Sequence, residues 1–488
     1  MKGSSSDFII IGGGIVGCAI ARELSRYEAR TILLERESDV AMGISGRNSG
    51  VVHAGFYVEP GSLKAETNVL GHRMMPKICH DLDVPYREVG KIVVAKNERE
   101  IKDLYKLKDN GDKNGVKGLR IIDREEMKKI EPEVEGIKAL YSPTSAILDP
   151  FLLNVALAEN ALQNGVRILL NTEVTDIKEN GSFIVKTNRG EFRSEFVINS
   201  AGLFSDKIAG MVGIDRYKIY PCRGEYHILD KNRRHLIHGM VYPVPPREPG
   251  GLGIHLTPTT DDNIFIGPSA EYIEDREDTA NTKEVMERLY SEARELLPKI
   301  SKKDFIRSFA GIRPKLIKPD AKKPEDFVIE ESIDNFINLI GIESPGLTSA
   351  PAIAKKVVEI IKRKKRLKKN RKFNPKRKAP VRFSKLSDEE KSKLIRKNPN
   401  YGRIVCRCET VTRQEIIDAL KNPLGARNIY GVRKRSKATC GRCQGGFCIP
   451  KIVEIMEELS NPSIDELTLK GNNSRLFIGR TKDLRKND

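Results

Sequence analysis

The stretch "DFIIIGGGIVGCAIARELSRYEARTILLER" (Asp7–Arg36) decides the fold. An unbroken apolar run, Phe8–Ile11, opens directly into glycines. A run without polar alternation predicts a strand buried on both faces, as in a parallel sheet. Apolar residues then return with helical spacing through Ile15–Tyr27, and "TILLER" (Thr31–Arg36) predicts the next strand. The turn between strand and helix carries Gly12-x-Gly14-x-x-Gly17. Glycines there permit a tight turn, close backbone approach to a pyrophosphate, and close helix–sheet packing. The helix N-terminus supplies free N–H groups and a favourable dipole for that anion. Glu35 ends the second strand, where a carboxylate accepts from ribose hydroxyls and repels a 2′-phosphate. Gly12, Gly14, Gly17, Glu35 and the adjacent Arg36 are therefore expected at a dinucleotide.

The next stretch separates a flavin dinucleotide from a nicotinamide one. "GISGRNSGVVHAGFYVEPGSLKAE" (Gly43–Glu66) is a Gly/Ser/Asn-rich loop, able to wrap a flavin chain with backbone and small polar groups. Further along, Pro150–Leu170 predicts a helix and a strand, and Glu195–Gly202 another apolar strand. The pattern becomes β-rich between about 210 and 315. "FINLIGIESPGLTSAPAIAKKVVEIIK" (Phe336–Lys362) then returns to strand, glycine turn and helix. The expected divisions are a dinucleotide domain over 1–85, 146–210 and 316–362, and a substrate domain over 86–145 and 211–315. A basic linker over 363–404 and a small domain with its tail over 405–488 follow.

The 488 residues carry 86 Lys and Arg against 67 Asp and Glu, a formal charge of +19. Much of the excess sits in "KRKKRLKKNRKFNPKRKAPVR" (Lys362–Arg382), expected to be a solvated linker, with an acidic partner or membrane surface as the alternative. Trp is absent and no aromatic residues interleave the basic run, so nucleic-acid binding is not expected. No run of eighteen apolar residues suggests a membrane span. The N-terminal apolar run reads as a buried strand rather than a signal peptide. A cytoplasmic protein is expected, with attachment to the inner face of the cell membrane as a variant. In that compartment, clustered cysteines point to metal or redox chemistry before disulfides.

Five segments in order resemble the D-amino-acid-oxidase-like FAD oxidoreductases: "GGGIVG" with Glu35, "GRNSGVVHAG", "VINSAGLFSDKIA" (Val197–Ala209), "SFAGIRPKL" (Ser308–Leu316) and "NLIGIESPGLTSAPAIA" (Asn338–Ala354). "PCRGEYHIL" (Pro221–Leu229) and "GIHLTPTTDDNIFIGPSA" (Gly253–Ala270) sharpen the resemblance to the L-2-hydroxyglutarate oxidase and anaerobic glycerol-3-phosphate dehydrogenase group. The resemblance implies an α/β fold: a Rossmann-like FAD-binding domain interrupted by a β-rich α+β substrate domain. It also implies that Ser45, Asn48, Ser49, Ala201, Gly202, Gly346, Leu347 and Thr348 meet the FAD. The last helix would aim its positive end at the flavin ring.

The implied reaction removes a hydride from a carbon bearing a hydroxyl. It needs a base, cations for the substrate's anionic group, and a dry pocket. His53 and His255 are the candidate bases, with covalent attachment to FAD an alternative for His53. Arg313 is the candidate clamp, because a guanidinium binds a carboxylate or phosphate through two parallel bonds. Arg47, Lys64 and Arg223 are weaker candidates. Some glycerol-3-phosphate dehydrogenases carry Gly-Gly-Lys where this chain has Gly341-Ile342-Glu343. That departure favours a 2-hydroxy acid over glycerol-3-phosphate without excluding it, and an amine substrate stays open.

Near the C-terminus, Cys406-x-Cys408 and Cys440-x-x-Cys443 stand thirty-one residues apart, with no histidine in this part of the chain. Zinc sites favour two C-x-x-C pairs or Cys/His sets, whereas four thiolates suit a [2Fe-2S] cluster. The segment resembles the small helical bacterioferritin-associated-ferredoxin-like domain, which implies Cys406, Cys408, Cys440 and Cys443 as ligands. Zinc and an unfilled module remain alternatives. Thr412 is expected to cap a helix over "TRQEIIDALK", and "IPKIVEIMEEL" to form another. Cys448, Cys18, Cys79 and Cys222 are expected to be packing residues. Such a cluster implies electron exit to a partner, expected to be a second flavoprotein or iron–sulfur subunit.

Overall fold

In the computed structural model, residues 5–245, 253–316, 325–460, 463–471, 473–479 and 481 are described. The apolar run Phe8–Ile11 is the centre of a mainly parallel sheet, in strand Ser5–Ile11. It lies between Thr31–Leu34 and Gly190–Asn199, with Arg167–Leu169 and Phe336–Ile340 outside them, all parallel. The run is apolar throughout because both faces are covered. Phe8 and Ile10 pack into the core under helices Ile15–Leu24, Pro150–Gln163 and Gly346–Lys362, whereas Ile9 and Ile11 pack into the opposite core.

The substrate domain is a second, largely antiparallel sheet that includes Lys91–Ala95, Tyr220–Leu229, Met240–Pro243, His255–Pro258, Ile264–Gly267 and Phe305–Lys315. The alternation of "KIVVA" splits its two faces. Ile92 and Val94 enter a core with helix Lys283–Leu296, which lies inside the stretch expected to be β-rich. Val93 and Ala95 enter another core with Phe56 and Tyr242, on the side of the flavin loop.

The basic stretch departs from the expected solvated linker. Its residues lie along the dinucleotide domain, where Asn374 O accepts from Asn160 and Asn164, and Phe373 lies under Arg26 at 4.6 Å. Lys365 pairs with Asp7 and Glu195, Arg377 with Glu159, and Arg382 with Asp261. Part of its charge is therefore met by the protein's own carboxylates, while most of its Lys and Arg residues stay exposed. The segment also contains a helix, Asp388–Lys397, with a capping box at Ser387 and Glu390. Among the described residues, no helix is long and apolar enough to cross a membrane.

The C-terminal part builds helices Arg413–Leu420, Ile429–Ser436 and Ile449–Ser460 around its own core. Thr412 caps the first of these with Glu415, as its position predicts. Side chains from this part grip both other domains. Arg435 pairs with Asp39, Lys437 with Asp149 and Asp261, Lys231 with Glu409, and Arg442 with Asp230.

Candidate active site

A cavity of about 1260 Å³ runs from Glu35 past the glycine turn to the substrate sheet. Gly12 has φ +105°, and a Cβ there would come within 2.6 Å of Ser200 O. A Cβ at Gly17 would strike Gly12 O at 2.0 Å, so Gly17 lets the helix close on the turn and does not itself line the cavity. Gly14 lines it at the helix N-terminus, where Ser45 Oγ accepts from Ile15 N at 2.9 Å. Glu35 accepts from Gly13 N at 2.5 Å and Glu37 N at 2.9 Å. Burial nevertheless raises its carboxyl above the usual range, against those two bonds. Arg36 also lines the cavity, resting on the Phe204 ring at 4.1 Å and pairing with Glu277.

Asn48 fixes the flavin loop by donating to Ile44 O and Ser45 O and accepting from Gly50 N. Asn48, Ser49, Ala201, Gly202, Gly346 and Leu347 all line the cavity. Thr348 does not. Its Oγ1 accepts from His53 N at 3.0 Å, so it ties the closing helix to the strand that presents His53. These residues fit an FAD: a glycine cradle under a helix N-terminus, with a carboxylate at one end of the cavity and the Ser45–Ser49 loop along it.

At the far end, His53, His255 and Arg313 converge on the same cavity. His255 stacks on Tyr242, with ring centroids 3.8 Å apart. Its Nδ1 lies 3.0 Å from Gly253 O, which fixes the proton there and leaves Nε2 as an acceptor. That Nε2 is buried without a partner among the described residues. Burial, then the charges of Lys91 and Arg313, push His255 down to about 3. Burial, then Lys91, hold His53 well below the ordinary imidazole value.

Arg313 is held by backbone carbonyls of Cys222, Arg223 and Ser269. Its Nε and Nη2 make those bonds, and among the described residues it pairs with no carboxylate within 4 Å. Lys64 and Lys315 flank the same wall and share one carboxylate, Glu343, at 3.1 and 3.3 Å. Burial would raise Glu343, but Lys64, Lys315 and Arg313 outweigh it and lower its pKa. Arg223 instead pairs with Glu225 and Asp278 and does not line the cavity. Arg47 lines it, and its Nη1 donates to Ala310 O.

The four cysteines lie on two loops that meet. Cys408 and Cys443 sulfurs are 3.7 Å apart. A Cβ at position 441 would come within 2.3 Å of Cys408 Cβ, so Gly441 allows the approach. A hydrogen bond from Cys448, supported by backbone N–H groups of Thr439 and Glu409, lowers Cys406 to about 6. Backbone N–H groups of Gly445 and Phe447 lower Cys443. Amides aimed at thiolates suit an iron–sulfur cluster, whose sulfurs are tuned by such bonds. Among the described residues, no three His, Cys, Asp or Glu side chains converge on one metal-sized point.

Several site residues were not singled out from sequence. Lys315 sits beside Arg313 in a quoted motif, and Tyr57 and Tyr242 wall the cavity. Lys470, Gly471, Asn473 and Ser474 line it from the C-terminal tail near Ser38, which no local motif foretells. Lys91 is legible only as a charge at an inward position of a period-two strand.

Residues 7–360 match the family described as FAD dependent oxidoreductase, and residues 404–458 match the BFD-like [2Fe-2S] binding domain. The chain is 39% identical over 482 residues to a glycerol 3-phosphate dehydrogenase of Caloramator mitchellensis, covering 98% of this chain and 99% of that one. It is 32% identical to the mitochondrial L-2-hydroxyglutarate dehydrogenase of Homo sapiens, covering 74% and 89%. The solved L-alpha-glycerophosphate oxidase of Mycoplasma pneumoniae with FAD bound superposes with TM-score 0.72 at 32% identity, covering 78% of this chain and all of that one.

Proposed function

As a member of the FAD dependent oxidoreductase family, this chain is an FAD-dependent dehydrogenase with a [2Fe-2S] domain, and we propose that it oxidises sn-glycerol-3-phosphate. The observation that carries this is the cationic wall. Arg313, Lys64 and Lys315 line one end of the cavity, where Lys64 and Lys315 share Glu343, and Asp326 lines it too, held by the backbone N–H groups of Leu63 and Lys64. The gathering of three cations suits an anionic group such as a phosphate. It also answers the absent Gly-Gly-Lys, since Lys64 and Lys315 reach the space from a helix and a strand instead.

When bound, FAD accepts the hydride and the cluster carries electrons singly. The protein's own groups do the rest. Arg313 holds the phosphate through Nη1, while backbone carbonyls on Nε and Nη2 fix the guanidinium in place. His255 Nε2 accepts a hydrogen bond from a substrate hydroxyl and orients it. His53 takes the proton of the reacting hydroxyl. His255 is unsuited to that step, because its other nitrogen faces a carbonyl and any charge must stay on the ring. The rings of Tyr242 and Tyr57 help exclude water. Cys406, Cys408, Cys440 and Cys443 would hold the cluster, which would supply one-electron transfer to a second redox protein.

A second reading, a 2-hydroxy dicarboxylate such as L-2-hydroxyglutarate, is favoured by Arg47. It lines the cavity apart from the Lys64–Glu343–Lys315 group and makes no ion pair among the described residues. Anaerobic reduction of the flavin by glycerol-3-phosphate, L-2-hydroxyglutarate, L-lactate, proline and sarcosine separates the two. Bleaching by glycerol-3-phosphate, lost about 10²–10³-fold in kcat/KM on Arg313→Ala, is expected from two lost charge-assisted bonds. Reduction by the dicarboxylate alone selects the second reading.

A further inference from the structure

Lys91 is 1% exposed, yet among the described residues no carboxylate pairs with it. Its Nζ lies 4.2 Å from the Tyr242 ring centroid, 4.9 Å from Tyr57 and 5.3 Å from Phe56. Among the described residues its one polar side-chain partner is His53 Nδ1, at 3.4 Å. An unpaired buried charge costs several kcal/mol, so a purely structural strand position would favour an aliphatic residue. Lys91 is not on the cavity wall, while His53, Tyr57 and Tyr242 are. It can therefore reach the chemistry only through His53.

We propose that Lys91 and His53 form a proton relay, in which the substrate's hydroxyl proton enters at His53 Nε2 and leaves from Nδ1 to Lys91 Nζ. The inference rests on His53 being the base. In the resting form, Nδ1–H donates to the neutral amine, which leaves the Nε2 lone pair for the cavity. As the substrate O–H bond breaks, an Nε2–H bond forms. The Nδ1–H bond then breaks and a third Nζ–H bond completes the ammonium. The electron pair of the C–H bond leaves as hydride to FAD, so the step balances. The three aromatic faces stabilise the ammonium where no anion does.

The surrounding groups agree with this direction. Burial brings Lys91 down to about 7, so the amine is accessible near neutral pH. Burial also keeps Tyr57 and Tyr242 protonated and neutral. The other titratable groups acting on His53 are His255 and His72, with Arg313 acting on His255, and burial and cationic neighbours disfavour a charge held on His53 itself.

The test uses anaerobic holoenzyme, following the limiting rate of flavin reduction against pH. In the native protein the rate should rise as pH passes about 7. Lys91→Met should lose that rise and slow the step about 10²-fold, within the usual range for a general base. Lys91→Arg keeps the charge and the aromatic contacts but cannot take a proton, so it should be slow at every pH. Spectra of ¹⁵N-histidine-labelled protein, with His53 assigned through His53→Asn, should show an Nδ1–H tautomer that Lys91→Met removes. An unmoved pH profile in Lys91→Arg, or an unchanged tautomer in Lys91→Met, overturns the relay. Full activity in His53→Asn instead overturns the choice of base, which separates the two failures.

Discussion

Arg435 and Asp39 form a two-pronged ion pair in the protein interior, Nη1 to Oδ2 at 2.5 Å and Nη2 to Oδ1 at 3.0 Å. It joins the middle helix of the cluster domain, Ile429–Ser436, to the loop that follows Glu35, so the cofactor cleft and the cluster domain share a joint. Removing one partner of such a pair strands a buried charge and costs about 3–5 kcal/mol. Arg435→Met should therefore lower the thermal midpoint and expose residues 405–460 to limited proteolysis. The double variant with Asp39→Asn should recover part of the loss, because no charge is then left unpaired.

Lys437 gives a pH-dependent counterpart. It bridges the carboxylates of Asp149 and Asp261; burial would lower its pKa, but the two carboxylates outweigh that and leave it firmly charged. Burial would raise both carboxyls, but Lys437 outweighs it and lowers them. In the native protein their stabilisation is present above the unfolded carboxyl value and is lost only as pH falls through the lower folded values. Lys437→Met reverses the sign for Asp149, a buried carboxyl left facing Asp261 without its cation, whereas Asp261 keeps Arg382. Stability should then fall as pH rises from about 4 to 7. Thermal unfolding of the variant at pH 5 and pH 8 checks this; a midpoint no lower at pH 8 would contradict it.

These joints mark what the sequence could and could not disclose. The dinucleotide strand, turn and helix were legible because each of their demands is local: glycine at a positive φ, apolar continuity for a doubly covered strand, a carboxylate at a strand end. His53, His255 and Arg313 were legible through motif context, and the cavity brings them together. Lys91, Lys315 and the tail at Lys470 were not, since their meaning arises from strand pairing and domain docking across hundreds of residues. The basic stretch misled for the same reason. Its composition matches a solvated linker, but the carboxylates that receive its charge, such as Glu159 and Glu195, are distant in sequence.

The tail predicts a measurable link to the cofactor. Ser38 Oγ donates to Lys470 O, and Asn428 Nδ2 donates to both Ser38 Oγ and Lys470 O. This latch holds Lys470 and Ser474 at the Glu35 end of the cavity. Ser38→Ala should weaken FAD binding about 3- to 10-fold, from one or two lost hydrogen bonds. Titration of flavin-free protein with FAD reads the change, while iron content should stay constant.

Electron exit through the cysteine loops is best judged by electron paramagnetic resonance of anaerobic holoenzyme after addition of glycerol-3-phosphate. A reduced [2Fe-2S] signal should appear as flavin absorbance at about 450 nm falls. Cys440→Ser should lose iron and signal yet still bleach its flavin, whereas Cys448→Ser should keep all three. A bleached flavin beside an intact cluster that stays oxidised would contradict the proposed route.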